Sequence, residues 1–361
     1  MIKKFKIENY KGFENLELTN ISRLNLIGGK NNVGKTSLLE AIFNIHDRLS
    51  MDILLKPFVW RSSVPFINLT QDIWSPAFYN YDTTKEIAFS LTDEKDYTER
   101  ITFKIDKNFI PPQQQSTLHL PNISGQVTSN KPRQALKLEV KSKDFKSQET
   151  FIYIAENGLN SYNVKLHLNK NLPLAQFYSS RTFNAQKDSM GYGEIMRNNI
   201  EDIVINALKI VEPRLKSIVP IPISDNNTIL FGDIGLPSKV PLYYMGDGLT
   251  RLLSYIIAIV NCTNGVVLFD EIENGLHYSI HDEMWKVFSD LATKFNVQII
   301  ANTHSIEMVK AFNKVSLENN KLDYSYFELF QTLNEQSIKA SFIDSETLFY
   351  KISNNKSFRG E

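Results

Sequence analysis

Cysteine is almost absent from this sequence of 361 residues, which contains only Cys262. A single cysteine excludes an internal disulfide and fits a reducing compartment, and we expect Cys262 to be a small buried apolar residue. Long apolar runs are absent too: the longest, Leu252 to Val260, is too short to span a bilayer. The first residues, MIKKFKIENY, lack the apolar segment of a signal peptide. We therefore expect a cytoplasmic protein without a membrane partner.

An excess of positive charge is also absent, because 40 Lys and Arg residues balance 40 Asp and Glu residues. A neutral chain has no bulk attraction to nucleic acid, so DNA binding would need a local basic patch. The sequence offers only scattered candidates for such a patch: Lys3, Lys4, Lys6, Lys11, Lys137, Lys141, Lys143 and Lys146. Nucleic acid therefore stays open as a partner.

The pattern of apolar residues predicts an α/β core with a β-rich region inserted into it. The last third alternates helices and strands, which indicates parallel pairing. Its predicted elements are helix 248–260, strand 266–270, helix 277–293, strand 297–302 and helix 305–313. Strands are also predicted at 4–9 and near 86–92, 98–106, 135–142, 149–155 and 162–168, with a long polar loop over 110–132. Residues 192–217 carry an apolar stripe and are predicted to form one helix, which Pro213 kinks or stops near its end.

The segment GGKNNVGKTS fits the phosphate-binding pattern G-x-x-x-x-G-K-[ST], with Gly29, Gly34, Lys35 and Thr36 at the fixed positions. The glycines let the backbone curl so that N–H groups face phosphate oxygens. In this motif the lysine reaches the β- and γ-phosphates and the threonine hydroxyl binds Mg²⁺. An apolar strand before the loop and an amphipathic helix after it provide the required context. ATP and Mg²⁺ are therefore the predicted cofactors, bound by Gly29, Lys30, Asn31, Asn32, Val33, Gly34, Lys35, Thr36 and Ser37.

Two later predicted strands end in residues that suit phosphoryl transfer. Asp270 follows the apolar run Val266 to Phe269 and is predicted to hold Mg²⁺ beside the phosphate loop. Glu271 comes next and is predicted to orient and deprotonate the attacking water. His304 follows the next strand and is predicted to reach that water or the γ-phosphate. The predicted catalytic residues are Lys35, Glu271 and His304. The structural alternative for Glu271 is a plain strand end, and for His304 it is a surface or capping histidine.

Two glycines flank Asp247 in YYMGDGLTRLL, just before a predicted helix. A helix start exposes N–H groups that bind anions, so Gly246, Asp247 and Gly248 form a candidate anion site. With FKIENYKGF, GKNNVGKTSLLEAI, LFDEIENGLH and ANTHS, this segment resembles the ABC-type head ATPases of the SMC and RecF group. The strongest resemblance is to the OLD-like subgroup called AAA-15 or AAA-21, and it covers residues 1–45 and 225–312.

The resemblance implies an ABC-type P-loop NTPase head with an antiparallel β subdomain and a helical insertion. A single head over 1–361 would comprise a nucleotide-binding core (1–48 and 225–313), a β-rich subdomain (49–180), a helical insertion (181–224) and a C-terminal extension (314–361). The glutamine of the usual Q-loop has no clear counterpart, and Arg181 and Gln186 are its candidates.

In this group two heads arranged head to tail sandwich the nucleotide, so the resemblance implies a homodimer or a higher even oligomer. Gly246, Asp247 and Gly248 would approach the γ-phosphate held by the other copy, and residues 274–277 would cross the seam as the D-loop. The common signature has a serine where this chain has Gly246. The resemblance therefore implies dimerisation on ATP with slow hydrolysis to ADP and phosphate.

The function that the resemblance favours is an ATPase subunit that senses or scaffolds. It would control a separate effector protein, such as a nuclease or toxin, in bacterial antiphage defence, with the 110–132 loop as a contact surface. The alternative is a RecF- or SMC-type DNA-binding ATPase of repair or recombination. A transporter ATPase is disfavoured, because the signature serine is missing and the insertion is β-rich.

No second catalytic centre is predicted. Full-length OLD proteins carry a C-terminal Toprim nuclease, and the residues after His304 are too few for one. The D-x-E pair of Asp344 and Glu346 is explained by a solvated turn or helix start. His277 and His281 are predicted to share a helix face, where a seam or surface role is favoured over a zinc site because a third ligand is lacking.

Overall fold

A computed structural model describes residues 1–48, 50, 52–56, 73–111, 133–143, 145–155, 158–163, 172–179, 184–225, 227–319, 323–332 and 337–354. The predicted loop 110–132 lies outside these ranges from residue 112 onward, and so does Arg181. Within the described ranges, none of the helices has both the length and the apolar character needed to cross a membrane.

Strands and helices are numbered in chain order. The strands are β1 (Ile2–Tyr10), β2 (Phe13–Leu18), β3 (Leu24–Gly29), β4 (Ile87–Asp93), β5 (Thr98–Phe109), β6 (Arg133–Ser142), β7 (Phe145–Ala155), β8 (Gly158–Asn163), β9 (Ala175–Tyr178), β10 (Ser217–Ser224), β11 (Asn227–Asp233), β12 (Val240–Pro241), β13 (Val266–Phe269), β14 (Gln298–Asn302), β15 (Tyr324–Gln331) and β16 (Ile338–Ile343). The helices are α1 (Lys35–His46), α2 (Ala185–Arg197), α3 (Glu201–Leu208), α4 (Asp247–Asn261), α5 (His281–Lys294), α6 (Ile306–Glu318) and α7 (Ser345–Ser353). A 3-10 turn, Leu242–Met245, precedes α4, and another, Tyr278–Ile280, precedes α5.

Seven strands form an antiparallel sheet in the order β2-β1-β4-β5-β6-β7-β8. Its strands alternate because one face packs on a core: on β1, Phe5 and Ile7 are buried, while Lys4 is exposed. This sheet confirms the predicted antiparallel β subdomain. It also contains β1 and β2, which the sequence analysis placed in the nucleotide-binding core, because an alternating strand does not reveal which sheet it joins.

Six strands form the second sheet, in the order β16-β15-β3-β14-β13-β9, and every neighbouring pair except β15–β16 is parallel. Both faces of this sheet are covered. Along β13, Val267 and Phe269 belong to one core cluster, whereas Val266 and Leu268 belong to the other. A strand buried on both faces needs an unbroken apolar run, which explains the segment VVLF. The predicted α/β fold class is therefore confirmed.

The core sheet takes strands from outside the ranges predicted for it. Strand β9 comes from the range assigned to the β subdomain, and β15 and β16 come from the range assigned to the C-terminal extension. In the sheet, β15 lies directly beside β3, the strand that leads into the phosphate loop. The strand signals after residue 313 are weak in the sequence, so this strand pairing was not predicted.

The single helix predicted over 192–217 is wrong, because the chain forms α2, α3 and then strand β10. Asn199 adopts a left-handed backbone with φ of 53°, which separates α2 from α3. Strand β10 pairs only with β11 within the described residues. Pro220 and Pro222 have no N–H to donate to a neighbouring strand. An edge strand tolerates such residues because one of its two sides has no partner. The predicted helical insertion 181–224 thus ends in a strand.

The helix predicted over 277–293 begins later, at His281. His277 instead caps the preceding 3-10 turn and accepts a hydrogen bond from the Ser279 N–H. His277 and His281 therefore do not share a helix face, and that prediction is wrong. No group of three or more His, Cys, Asp or Glu side chains suited to a metal ion occurs in the described part of the chain.

Candidate nucleotide-binding site

The phosphate loop joins the carboxyl end of β3 to the start of α1. Gly29 has φ of 133°, and a Cβ atom there would lie 2.3 Å from the carbonyl oxygen of Leu329. Gly34 has φ of 80°, and a Cβ atom there would lie 2.8 Å from Cζ of Phe13. Both positions combine a left-handed backbone with close neighbours, so only glycine fits. Among the other predicted loop residues, Lys30, Asn31 and Asn32 are exposed, Val33 is buried against Gly29, and Ser37 lies in the first turn of α1.

The Lys35 side chain is buried and folds back over the loop. Its Nζ donates hydrogen bonds to the carbonyl oxygens of Gly29 at 2.8 Å and Lys30 at 2.7 Å. Burial lowers the pKa of Lys35 to about 8, although the carboxylates of Glu273, Glu271 and Asp270 act in the opposite direction. A phosphate in the loop would supply the negative charge that this buried ammonium lacks.

Thr36 and Asp270, the two predicted Mg²⁺ ligands, are in direct contact. The Thr36 hydroxyl donates to Oδ1 of Asp270 at 2.7 Å, and Nδ2 of Asn302 donates to the same oxygen at 2.7 Å. The pKa of the Asp270 carboxyl is raised, because burial outweighs the hydrogen bonds from Thr36 and Asn302. A hydroxyl and a carboxylate oxygen side by side fit Mg²⁺, which takes few protein ligands and completes its octahedron with phosphate oxygens and water.

Glu271 lies next to the Mg²⁺ ligands in a strained backbone conformation. Its φ is 52°, in the left-handed region that residues other than glycine rarely adopt. Two bonds hold this turn: the Glu271 N–H donates to Oδ1 of Asn302 at 2.6 Å, and the Ile272 N–H donates to the Asn302 carbonyl at 3.1 Å. Nδ2 of Asn274 donates to Oε2 of Glu271 at 2.9 Å, which fixes the carboxylate itself. Strain maintained by several bonds is typical of functional positions.

His304 follows β14 and faces Glu271, with 3.9 Å between Nε2 and Oε1. The pKa of His304 is lowered, first by burial and then by the positive charge of Lys35, so the ring is neutral near pH 7. A neutral imidazole can accept one proton and donate another. The structure therefore brings together Lys35, Thr36, Asp270, Glu271 and His304, as the sequence predicts.

Asn302 and Glu273 belong to the same cluster, although the sequence analysis did not identify them. The Glu273 carboxylate accepts hydrogen bonds from the Thr303 hydroxyl at 2.7 Å and from the His304 N–H at 2.7 Å. It therefore ties the segment that carries His304 to the turn after β13. The sequence contained one feature that could have identified Asn302 as a site residue, namely a polar side chain at the end of an apolar strand.

The three residues Gly246, Asp247 and Gly248, here called the signature turn, lie elsewhere, beside the predicted D-loop. A Cβ atom on Gly248 would lie 3.2 Å from the Gly275 carbonyl oxygen, and one on Gly275 would lie 3.9 Å from Asp247. Gly246 has φ of 108° and ψ of 152°. The signature turn and residues 274–277 thus form one surface at the start of α4.

Comparison with known proteins gives a family match and several relatives. The sequence model of the family AAA_21, described as "AAA domain, putative AbiEii toxin, Type IV TA system", matches residues 24–310. A Helicobacter pylori protein named "ATP/GTP phosphatase" is 25% identical over 339 residues, which cover 89% of this chain and 90% of that protein. The crystal structure of the SmcHead bound to the C-winged helix domain of ScpA matches 97% of this chain and 99% of its own, with TM-score 0.48 and 12% identity. The SMC head domain from Thermotoga maritima matches 95% and 99%, with TM-score 0.45 and 9% identity.

Proposed function

Because the chain belongs to the AAA_21 family of ATPase domains, we propose that it is a Mg²⁺-dependent ATPase whose two copies close on ATP and act as a switch. The observation that carries this proposal is the cluster in which Thr36 and Asn302 both donate to Oδ1 of Asp270, with Glu271 as the next residue. The name of the Helicobacter pylori relative, an ATP/GTP phosphatase, supports nucleotide hydrolysis.

Each residue of the cluster has a chemical task in this proposal. The Lys35 ammonium leaves the loop carbonyls and binds the β- and γ-phosphate oxygens, and the loop N–H groups bind the remaining phosphate oxygens. Thr36 and Asp270 would hold Mg²⁺, which neutralises charge on the phosphates. Glu271 accepts a proton from the attacking water, and neutral His304 donates a hydrogen bond to that water or to the γ-phosphate.

The dimer is proposed to form through the surface that carries the signature turn. Exposed aromatic side chains flank this turn and the neighbouring D-loop segment: Tyr243, Tyr244 and Tyr278. Tyr244 leaves 74% of its surface exposed. Exposed aromatics at one surface support a protein contact, since such residues are enriched in interfaces. The signature turn provides backbone N–H groups, but Gly246 lacks the hydroxyl of the common signature serine, so we propose slow turnover in a homodimer or a higher even oligomer.

We further propose that closure controls a separate effector protein. The family description, which names the AbiEii toxin and a type IV toxin–antitoxin system, supports a role beside a partner of that kind. Bacterial antiphage defence remains the proposed setting, and the predicted loop 110–132 remains a proposed contact segment. Copurification of the protein with the product of a neighbouring reading frame tests this part of the proposal.

A DNA-binding ATPase of the RecF or SMC type is the second candidate. Its support in the sequence, the scattered lysines, is reduced by ion pairs: Lys6 with Glu8 at 3.0 Å, Lys137 with Glu149 at 2.7 Å and Lys141 with Glu139 at 3.0 Å. A carboxylate beside each ammonium lowers the local positive potential. Tight binding of duplex DNA that weakens steeply with salt would favour this candidate over the effector switch.

The switch is tested by the variant Glu271→Gln, which keeps the shape of the side chain and removes the base. We expect sedimentation to show a monomer without nucleotide and a stable dimer with Mg²⁺ and ATP, while ADP leaves the monomer unchanged. The variant Lys35→Met in the same background is the control, because it removes the phosphate contact. A Glu271→Gln protein that binds ATP and stays monomeric at every concentration contradicts the proposal.

A further inference from the structure

The space around Gly246 in the signature turn is open: a Cβ atom built there would have no heavy atom of the described residues within 4 Å, its two chain neighbours aside. Hydrogen bonds from Thr250 hold the Gly246 carbonyl. The Thr250 hydroxyl reaches the carbonyl oxygens of Gly246 at 3.2 Å and Leu242 at 3.5 Å, and the Thr250 N–H donates to the Gly246 carbonyl at 3.4 Å.

The bonding continues along one face of α4 and crosses to α2. Gly246, Thr250 and Ser254 are spaced four residues apart and therefore share a helix face. The Ser254 hydroxyl donates to Oδ2 of Asp188 on α2 at 2.5 Å and also lies 3.1 Å from the Thr250 carbonyl oxygen. Asp188 is only 4% exposed and Ser254 only 6% exposed. A buried polar chain thus runs from Asp188 to the signature turn.

Helix α2 contacts both α4 and strand β9 of the core sheet. A Cβ atom on Gly191 would lie 2.6 Å from the Ile257 side chain, and Nδ2 of Asn261 donates to the Gly191 carbonyl at 2.9 Å, so α2 packs closely on α4. On its other side, Nζ of Lys187 lies 4.2 Å from the centre of the Tyr178 ring. The carbonyl of Tyr178 accepts the hydrogen bond of the Asp270 N–H at 2.9 Å.

A buried carboxyl is costly unless it is hydrogen-bonded, and an apolar side chain would fill the same space at a lower cost. Lys187 on the same helix and Arg251 on α4 are the cations that stabilise the charged form of Asp188. Tyr178 on β9 is a further titratable neighbour. A buried carboxyl bonded to this face of α4 therefore suits a positioning role better than a packing role.

We propose that Asp188, Ser254 and Thr250 are positioning residues that hold the signature turn for the nucleotide of the second copy and connect it to the strand end that carries Asp270. The inference rests on the proposed closure of two copies on ATP. The missing signature serine makes these bonds more important. Without its hydroxyl, the turn offers the nucleotide only backbone N–H groups, and their direction depends on the bonds that orient the backbone. In each copy, the Mg²⁺ ligand Asp270 would thereby be connected through α2 to the signature turn that binds the nucleotide of the other copy.

The test uses Ser254→Ala and Thr250→Val in the full chain carrying Glu271→Gln. Ser189→Ala is the matched control, because Ser189 on α2 is likewise a buried hydroxyl with two partners. It bonds back to the Ala185 carbonyl at 2.9 Å and to the Thr228 carbonyl at 2.8 Å. We expect unchanged ATP affinity of the monomer and a roughly tenfold weaker ATP-driven dimer for the two test variants. The control should dimerise like the parent, and Thr250→Ser should restore most of the loss of Thr250→Val.

Hydrogen exchange of the nucleotide-free monomer gives a second reading that does not need a dimer. We expect peptides that cover 242–250 to exchange faster in Ser254→Ala and Thr250→Val than in Ser189→Ala. Equal exchange and equal dimerisation in test and control variants overturn the positioning role. If the parent itself forms no dimer with ATP, the proposed function fails, while faster exchange at 242–250 still upholds the structural part of the inference and unchanged exchange overturns it.

Discussion

The Thr36 hydroxyl donates a hydrogen bond of 2.7 Å to Oδ1 of Asp270, joining the first turn of α1 to the end of β13 across 234 positions of sequence. The strands that precede these two residues are not neighbours in the sheet, because β14 lies between β3 and β13. The carboxyl ends of these parallel strands meet at one sheet edge, so a loop after β3 and a residue after β13 can share a ligand. This contact makes the phosphate loop and Asp270 one site.

Asp270→Asn should separate the charge of this residue from its hydrogen bonds. The amide oxygen still accepts from Thr36 and Asn302, so we expect the fold and the thermal midpoint to change little. The lost negative charge weakens Mg²⁺ binding, and we expect steady-state ATP hydrolysis to fall by about 10²-fold or more. A phosphate-release assay across Mg²⁺ concentrations checks this; wild-type turnover in the variant would exclude Asp270 as a ligand.

Asn302→Ala should impair turnover, whereas Asn25→Ala should impair only stability. Both asparagines are fully buried, and Asn25 on β3 bonds to the Ser22 and Ile299 carbonyls away from the site. We expect each variant to lose about 2–3 kcal/mol of unfolding free energy in urea titrations. Only Asn302→Ala frees the Asp270 carboxylate and the Glu271 N–H, so it alone should lower hydrolysis per folded molecule, by about 10- to 100-fold.

Glu273→Gln should weaken the support of His304. The Glu273 carboxylate accepts from both Thr303 and His304, and an amide can accept with only one of its two terminal atoms. We expect a loss in turnover that is smaller than that of His304→Ala, for which about 10²-fold is expected if the ring acts as a proton donor or acceptor. ATP affinity should stay unchanged in both variants. A Glu273→Gln loss larger than that of His304→Ala would indicate that Glu273 itself acts on the water.

Asp188 should make stability depend on pH. Burial raises its pKa from 3.8 to about 6, against the hydrogen bond from Ser254 and the charges of Lys187 and Arg251. The folded chain therefore binds more protons than the unfolded chain between these values, so this group's contribution to stability falls as pH rises from 4 to 6 and is level above. Asp188→Asn removes that dependence. We expect the stability of wild type relative to the variant, from urea titrations, to fall by about 2 kcal/mol between pH 4 and pH 6.

The catalytic groups of the site could be predicted from the sequence because each follows a strand whose apolar run is unmistakable. Asp270 and Glu271 come directly after VVLF, and His304 follows the strand that ends at Asn302. The supporting residues could not be predicted in the same way. Asn302 and Glu273 act through neighbours about thirty positions away, and only the fold brings them together.

The fold was predictable where periodicity and length agreed, and not where one pattern fits two structures. The apolar stripe over 192–217 suits a helix, but the left-handed Asn199 and the two prolines of β10 divide it. Membership of a sheet was hidden for similar reasons. An alternating strand such as β1 fits either sheet, and nothing in the sequence of β15 shows that it pairs with β3.

The central claim is that each nucleotide site combines the phosphate loop of one copy with the signature turn of another. It is tested most directly by mixing two inactive variants, Lys35→Met and Gly246→Trp. Each alone should hydrolyse almost no ATP, because every dimer lacks one half of both sites. Where the two variants of an equimolar mixture pair at random, half of the dimers combine one variant with the other, and each of these has one intact site of two, so about a quarter of wild-type activity should return. A mixture that forms such dimers yet stays inactive would contradict the shared site.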